Sequence, residues 1–192
     1  AVIGMALGVR ALGTTDVTVT LGDVPTSAIA AGQPDALGLD VTITTARADR
    51  LDALFVKQEG SARWQTDLTD AKLWADAGGD GFQGIGIDRL LATGAWNANE
   101  NGWAFTSMDE AVPAGGARYF VTVSTYRSPT GNATIQLAIP GFRDEFTPMA
   151  YDTGDRGVFL RTVAQVPAVQ LTNAARQTVV AFGADSRAPL IR

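Results

Sequence analysis

Nine short runs of alternating apolar and polar residues, each closed by Gly, Pro, Asn or Asp, constrain this chain more than any other feature. They span 15–21, 37–45, 51–57, 68–75, 103–107, 118–125, 133–139, 158–166 and 177–182, and are rich in Val, Thr, Ile, Phe or Tyr. A period of two sends successive side chains to opposite faces, and β-branched and aromatic residues suit a pleated, half-buried surface. Strands at this turn-separated spacing pair into a sandwich or barrel. The sequence predicts an all-β fold, an Ig-like or jelly-roll antiparallel β-sandwich with an apolar N-terminal extension.

Local turn chemistry supports this. Between Trp96 and Trp103 the dipeptide Asn101-Gly102 can take the positive φ angles of a tight turn, which predicts a hairpin between two tryptophan-bearing strands. Helix signals are weak: residues 88–91 could form one turn, and Ala1–Leu12 has helix-favouring composition without a matching cap. At 192 residues, 46% of them hydrophobic, the chain is long enough for one domain of good size. Residues 14–192 are expected to form that domain, with a candidate sub-boundary at 140–156, where Pro140-Gly141 opens a polar stretch.

The absence of His and Cys removes whole classes of chemistry. There is no imidazole base, no thiol nucleophile, no zinc set of the usual kind and no disulfide framework. A net charge of −5, with 15 basic residues scattered along the chain, lacks the footprint of a nucleic-acid binder. No apolar run approaches the roughly 20 residues of a bilayer span. The chain opens without an initiator Met, which leads us to expect a processed, exported protein at the cell surface.

Hard-oxygen chemistry remains. In the glycine-rich stretch from Leu73 to Asp88, Asp76, Asp80 and the Phe82 carbonyl fall at the first, fifth and seventh places of a calcium-loop template, with Gly81 at the sixth. Gly78 holds the third place, Ile87 the twelfth, and Asp88 lies one residue beyond. Asp76, Asp80, Phe82 and Asp88 are thus the candidate Ca2+ set, although no cofactor is required. The competing reading is a turn whose aspartates cap backbone amides.

Asp144 with Glu145, and Asp152 with Asp155, supply the carboxylates that glycoside hydrolysis needs, but adjacent strand residues face opposite ways and a solvated polar loop is the better reading. No enzymatic activity is expected. Trp64, Trp74, Trp96 and Trp103 are candidates for a platform that stacks on a glycan, with Trp96 and Trp103, flanking the hairpin turn, as neighbours on one face. Phe55, Phe105, Tyr119 and Phe120 are assigned to the core. Asn132-Ala133-Thr134 is an N-glycosylation sequon in a turn-like stretch.

The start of the chain is the remaining candidate. Ala1, Val2, Ile3, Met5, Ala6, Leu7, Val9 and Leu12 make residues 1–13 apolar apart from Arg10, and such a tail left exposed is an aggregation hazard. It could tuck into its own domain, complete the sheet of a neighbouring copy as a donated strand, or pack as a helix inside a filament. A strand donated head to tail builds an open filament.

Residues 25–123 resemble a β-sandwich module of exported prokaryotic surface proteins. The elements that carry the resemblance are Ala30-Ala-Gly-Gln, the paired strands at 37–45 and 51–57, and Ala71-Lys-Leu-Trp-Ala-Asp running into Asp80-Gly81 and Asp88. Val112-Pro-Ala-Gly-Gly before Arg118-Tyr-Phe-Val-Thr-Val completes the outline. The chain departs from it at Gly78, where Asn or Asp is usual, and in the spacing before Asp88. A resemblance of architecture alone extends to β-sandwich pilus and biofilm-fibre subunits. It implies a structural or adhesive role, and the expected function is a subunit of an extracellular filament or pilus whose partners are copies of itself. The alternative is a calcium-stabilised binding module of a larger secreted adhesin or enzyme, with a glycan or surface ligand.

Overall fold

The computed structural model describes residues 17–139 together with three later strands, 158–160, 170–171 and 177–181. The N-terminal segment 1–13, the sub-boundary at 140–156 and the carboxylates at 144, 145, 152 and 155 lie outside the described residues. The strands are β1 (Val17–Leu21), β2 (Ala36–Thr45), β3 (Asp49–Gln58), β4 (Leu68–Ala75), β5 (Arg89–Thr93), β6 (Ala95–Asn97), β7 (Gly102–Val112), β8 (Ala117–Thr125), β9 (Thr134–Ala138), β10 (Val158–Leu160), β11 (Gln170–Leu171) and β12 (Gln177–Ala181). They form two sheets. Sheet A runs β11-β1-β2-β8-β4-β5 and sheet B runs β12-β9-β3-β7-β6, with β10 on β3. All pairings are antiparallel except the short parallel contact of β1 with β11. The all-β sandwich expected from the alternating runs is the fold.

The inner faces of the sheets make one core. Leu39, Val41 and Ile43 of β2 and Tyr119, Val121 and Val123 of β8 meet Leu51, Leu54 and Val56 of β3, Trp103 and Phe105 of β7, and Ile135 and Leu137 of β9. Within each strand these residues sit two apart, as a one-sided strand requires, except across the register shift between Leu51 and Leu54 of β3. The exceptions matter more. Trp74 and Phe120 are fully buried on the opposite face of sheet A, so Phe120, buried as expected, packs in a second layer and not between the two sheets. Every residue of β8 from Tyr119 to Thr125 is buried.

Two local expectations change. Residues 89–93 pair with β4 as an edge strand instead of forming a helical turn. The hairpin after Trp96 forms, with Trp96 opposite Trp103, but its loop is residues 98–101. Asn101 alone takes the left-handed conformation, at φ 50°. Gly102 is already in β7, where a Cβ would strike the carbonyl of Val56 on β3. Its role is therefore close strand approach and not the turn.

Gly102→Ala should destabilise the fold by about 1–3 kcal/mol through overpacking. Gly131→Ala, at a site with nothing within 4 Å of the added methyl, should change stability by less than about 0.5 kcal/mol. Urea unfolding of the two variants side by side checks the contrast.

Candidate functional site

The acidic loop joins β4 to β5 at one end of sheet A, and its aspartates hold its own backbone. Asp76 Oδ1 accepts from the Gly79 amide at 2.6 Å, and Asp88 Oδ2 accepts from the Gln83 and Gly84 amides at 2.6 and 2.9 Å. Asp88 Oδ1 is buried and meets no donor among the described residues. Gly81 takes φ 100°, the sharp turn its position called for. At Gly78 a Cβ would stand 2.5 Å from Asp80 Oδ1, so the carboxylate of Asp80 fills the space that an Asn or Asp side chain at 78 would need. That is the physical reason for the departure noted in the sequence.

Among the described residues no three acidic side chains converge in a way that could hold a metal ion. Phe82 turns its ring onto the outer face of sheet A, edge-on to Trp74 at 5.8 Å and to Phe120 at 5.5 Å. The loop is an anchored cover for two buried aromatic rings.

A cation is already present there, and it is Arg118 of β8. Its guanidinium binds Asp40 through two bonds, Nε to Oδ1 at 2.9 Å and Nη2 to Oδ2 at 2.6 Å. It also reaches Asp76 Oδ2 at 3.5 Å and lies 5.0 Å over the Phe120 ring. The bond to Asp40 does most to raise the Arg118 pKa, against the opposing effect of burial. Both carboxylates are almost completely buried, so this one side chain compensates two charges that water cannot reach.

Asp67, in the turn before β4, is fully buried. Its Oδ2 accepts from the Arg63 amide at 2.7 Å and its Oδ1 from the Thr130 amide at 2.6 Å, tying the loop after β8 to the turn. Burial pushes its pKa up, but the amides of Thr130 and Arg63 outweigh burial and hold the carboxyl below its ordinary 3.8.

The tryptophans form a cluster that the sequence only half announced. Trp96 and Trp103 are neighbours, with ring centroids 4.8 Å apart, yet Trp103 is fully buried and offers no face to a sugar. The expected stacking pair is corrected in that respect. Trp64, another of the four candidate tryptophans, stacks on Trp96 at 5.4 Å and 13°, and both rings stand edge-on to Trp103. Rings stacked on each other do not make the flat side-by-side platform on which a glycan chain rests. Asn132 is exposed at a turn with φ 60°, while Thr134 of the sequon bonds to Ser61.

The most exposed large apolar side chains among the described residues are Ile85, Ile87 and Leu90, at 80, 49 and 47%, on the tip of the acidic loop and the start of β5. An Ile-Gly-Ile sequence inside a glycine-rich loop was the available signal.

No protein-family model matches this chain, and no curated protein matches it in sequence. The chemistry of the residues carries the functional reading.

Arg118→Met should cost about 2–4 kcal/mol, because it removes the guanidinium that pairs with the buried carboxylates of Asp40 and Asp76. Millimolar calcium should recover part of that loss in the variant and leave the melting temperature of the parent within about 1 °C. Calorimetry with calcium and with chelator checks both, and a shift of several degrees in the parent would restore the loop as a cation clasp.

Asp67→Asn replaces one acceptor by a donor that faces an amide N–H, and should cost about 1.5–3 kcal/mol at pH 7. Since the folded pKa lies below the unfolded one, the carboxylate's ionisation stabilises the fold above pH 3.8 and stops doing so as the pH falls through the folded value. The stability gap between parent and variant should therefore narrow only in acid, which a pH series of denaturant midpoints would reveal.

Proposed function

We propose that this chain is a structural subunit of an extracellular filament or pilus, built from copies of itself at the cell surface and joined through residues 1–13. One observation carries the reading. A β-sandwich that leaves the edge strand β5 without a strand on its outer side among the described residues, flanked by exposed apolar side chains, belongs to a chain with an apolar segment just ahead of β1. Exposed sheet edges are templates for strand addition, and an extended apolar segment is what such an edge accepts.

The chemistry of the rest agrees with a structural role. Asp76 and Asp88 bind amides of their own loop, Asp76 also meets Arg118, and His and Cys are absent from the sequence. In this reading the chain is not an enzyme and needs no cofactor. The acidic loop keeps one end of sheet A rigid, and a glycan on Asn132 would sit on an exposed turn.

Deleting residues 1–13 should leave a folded, monomeric sandwich, while the full chain forms polymers visible by negative-stain imaging and light scattering. Polymers that still assemble without the segment would sink the proposal.

A further inference from the structure

The register of sheet A locates the chain's entry relative to the open edge. Val17 pairs with Thr45, Ile43 with Ala117, Tyr119 with Ala75, and Ala75 with Arg89. The starts of β1 and β5 thus lie at the same end of the sheet, separated by β2, β8 and β4. Four strand spacings put them about 19 Å apart. Residues 1–16 precede β1 at this end, and the tip of the acidic loop, with Ile85 and Ile87, stands at it too.

The two edges on this side of the sandwich differ. Beyond its short contact with β6, β7 has no strand on its outer side among the described residues, but it is blunted. Leu51 pairs with Glu110 and Ala53 with Thr106, so residues 107–109 bulge out, with Ser107 and Asp109 at positive φ and Arg50 bound to Asp109. Bulges and charges are how an edge refuses another strand. The β5 edge instead presents Leu90 beside Ile87 and Ile85, exposed in the single chain. No side chain among the described residues covers them.

We infer that β5 and the loop tip are the acceptor for the apolar segment of a second copy, residues 1–12, which adds to sheet A as an extended strand. Twelve extended residues reach about 40 Å, enough to run along a five-residue β5 and past the loop tip. Backbone bonds to the outer edge of β5 would supply pairing, and Ile3, Met5 and Leu7, which share one face of an extended strand, are the side chains available to cover Ile85, Ile87 and Leu90. Donor and acceptor lie on opposite sides of one sheet, so each junction leaves a donor and an acceptor free. The assembly is head to tail and open, not a closed dimer. The inference rests on the filament reading and names its acceptor.

The test uses the full chain, a double variant Ile87→Lys/Leu90→Lys and a chain lacking residues 1–13. The lysines replace exposed side chains, so circular dichroism and the melting temperature should match the parent. By light scattering, the parent should polymerise and each altered chain should stay monomeric. Mixed, the two altered chains should form a one-to-one heterodimer and go no further, since one retains only its acceptor and the other only its donor.

As a measurement independent of the lysines, a synthetic peptide of residues 1–12 added to the truncated chain should slow amide exchange at Leu90–Thr93. If the double variant polymerises like the parent while the truncated chain does not, or if the peptide protects a different strand, the acceptor lies elsewhere and this inference fails. The filament reading would then stand. If the full chain is monomeric at every concentration, the filament reading itself fails. A full chain that stays monomeric with its own segment cross-linked to β5 overturns both.

Discussion

Sheet A is organised around a strand that water reaches from neither side. β8 pairs with β2 and β4 and is buried from Tyr119 to Thr125, so alternate side chains that would face solvent in a simple sandwich need partners or cover. Thr122 accepts from the Trp74 indole at 2.9 Å, and Ser124 donates to Asp70 at 2.9 Å. Lys72 joins the group by its ion pair with Asp35 at 2.7 Å. A buried hydroxyl without such a partner would cost on the order of 1–3 kcal/mol, so the polar residues around β8 answer a demand that it creates. Phe120 creates the other demand, for an apolar lid, and Phe82 meets it.

That demand accounts for the course of the acidic loop. To bring Phe82 over Phe120 and Trp74, the chain must reverse between Ala75 and Arg89, and the glycines and capping aspartates make the reversal affordable without helix or sheet bonds. Arg118 joins the two roles, since the same guanidinium neutralises Asp40 of β2 and Asp76 of the loop while lying over Phe120. The outcome at the loop's far end is less economical. Ile85 and Ile87 stay exposed among the described residues, and apolar side chains left at the end of an edge strand mark an interaction surface.

The strands with clean alternation were legible because their period of two meets a one-sided core. β2, β3, β4 and β8 fall within two residues of the expected bounds. β5 and β6 escaped because short edge strands carry little burial and so little pattern, and Arg89-Leu-Leu reads equally well as a turn of helix. The acidic loop was visible as a glycine-rich reversal with ligand-like spacing. Its true office was not, because Phe82, Trp74 and Phe120 are brought together only by sheet pairing. The same holds for Trp64, which is distant in sequence from the ring it stacks on.

By itself the sequence determined the class of fold, the absence of imidazole and thiol chemistry, and the apolar character of residues 1–12, since each follows from composition or local period alone. Only the tertiary structure decided which aspartates cap amides and which pair with Arg118, that Trp103 is core, and that the exposed apolar residues gather at one open edge. Those outcomes depend on strand order and register, which bring together residues such as Asp40 and Arg118 that no local pattern can relate.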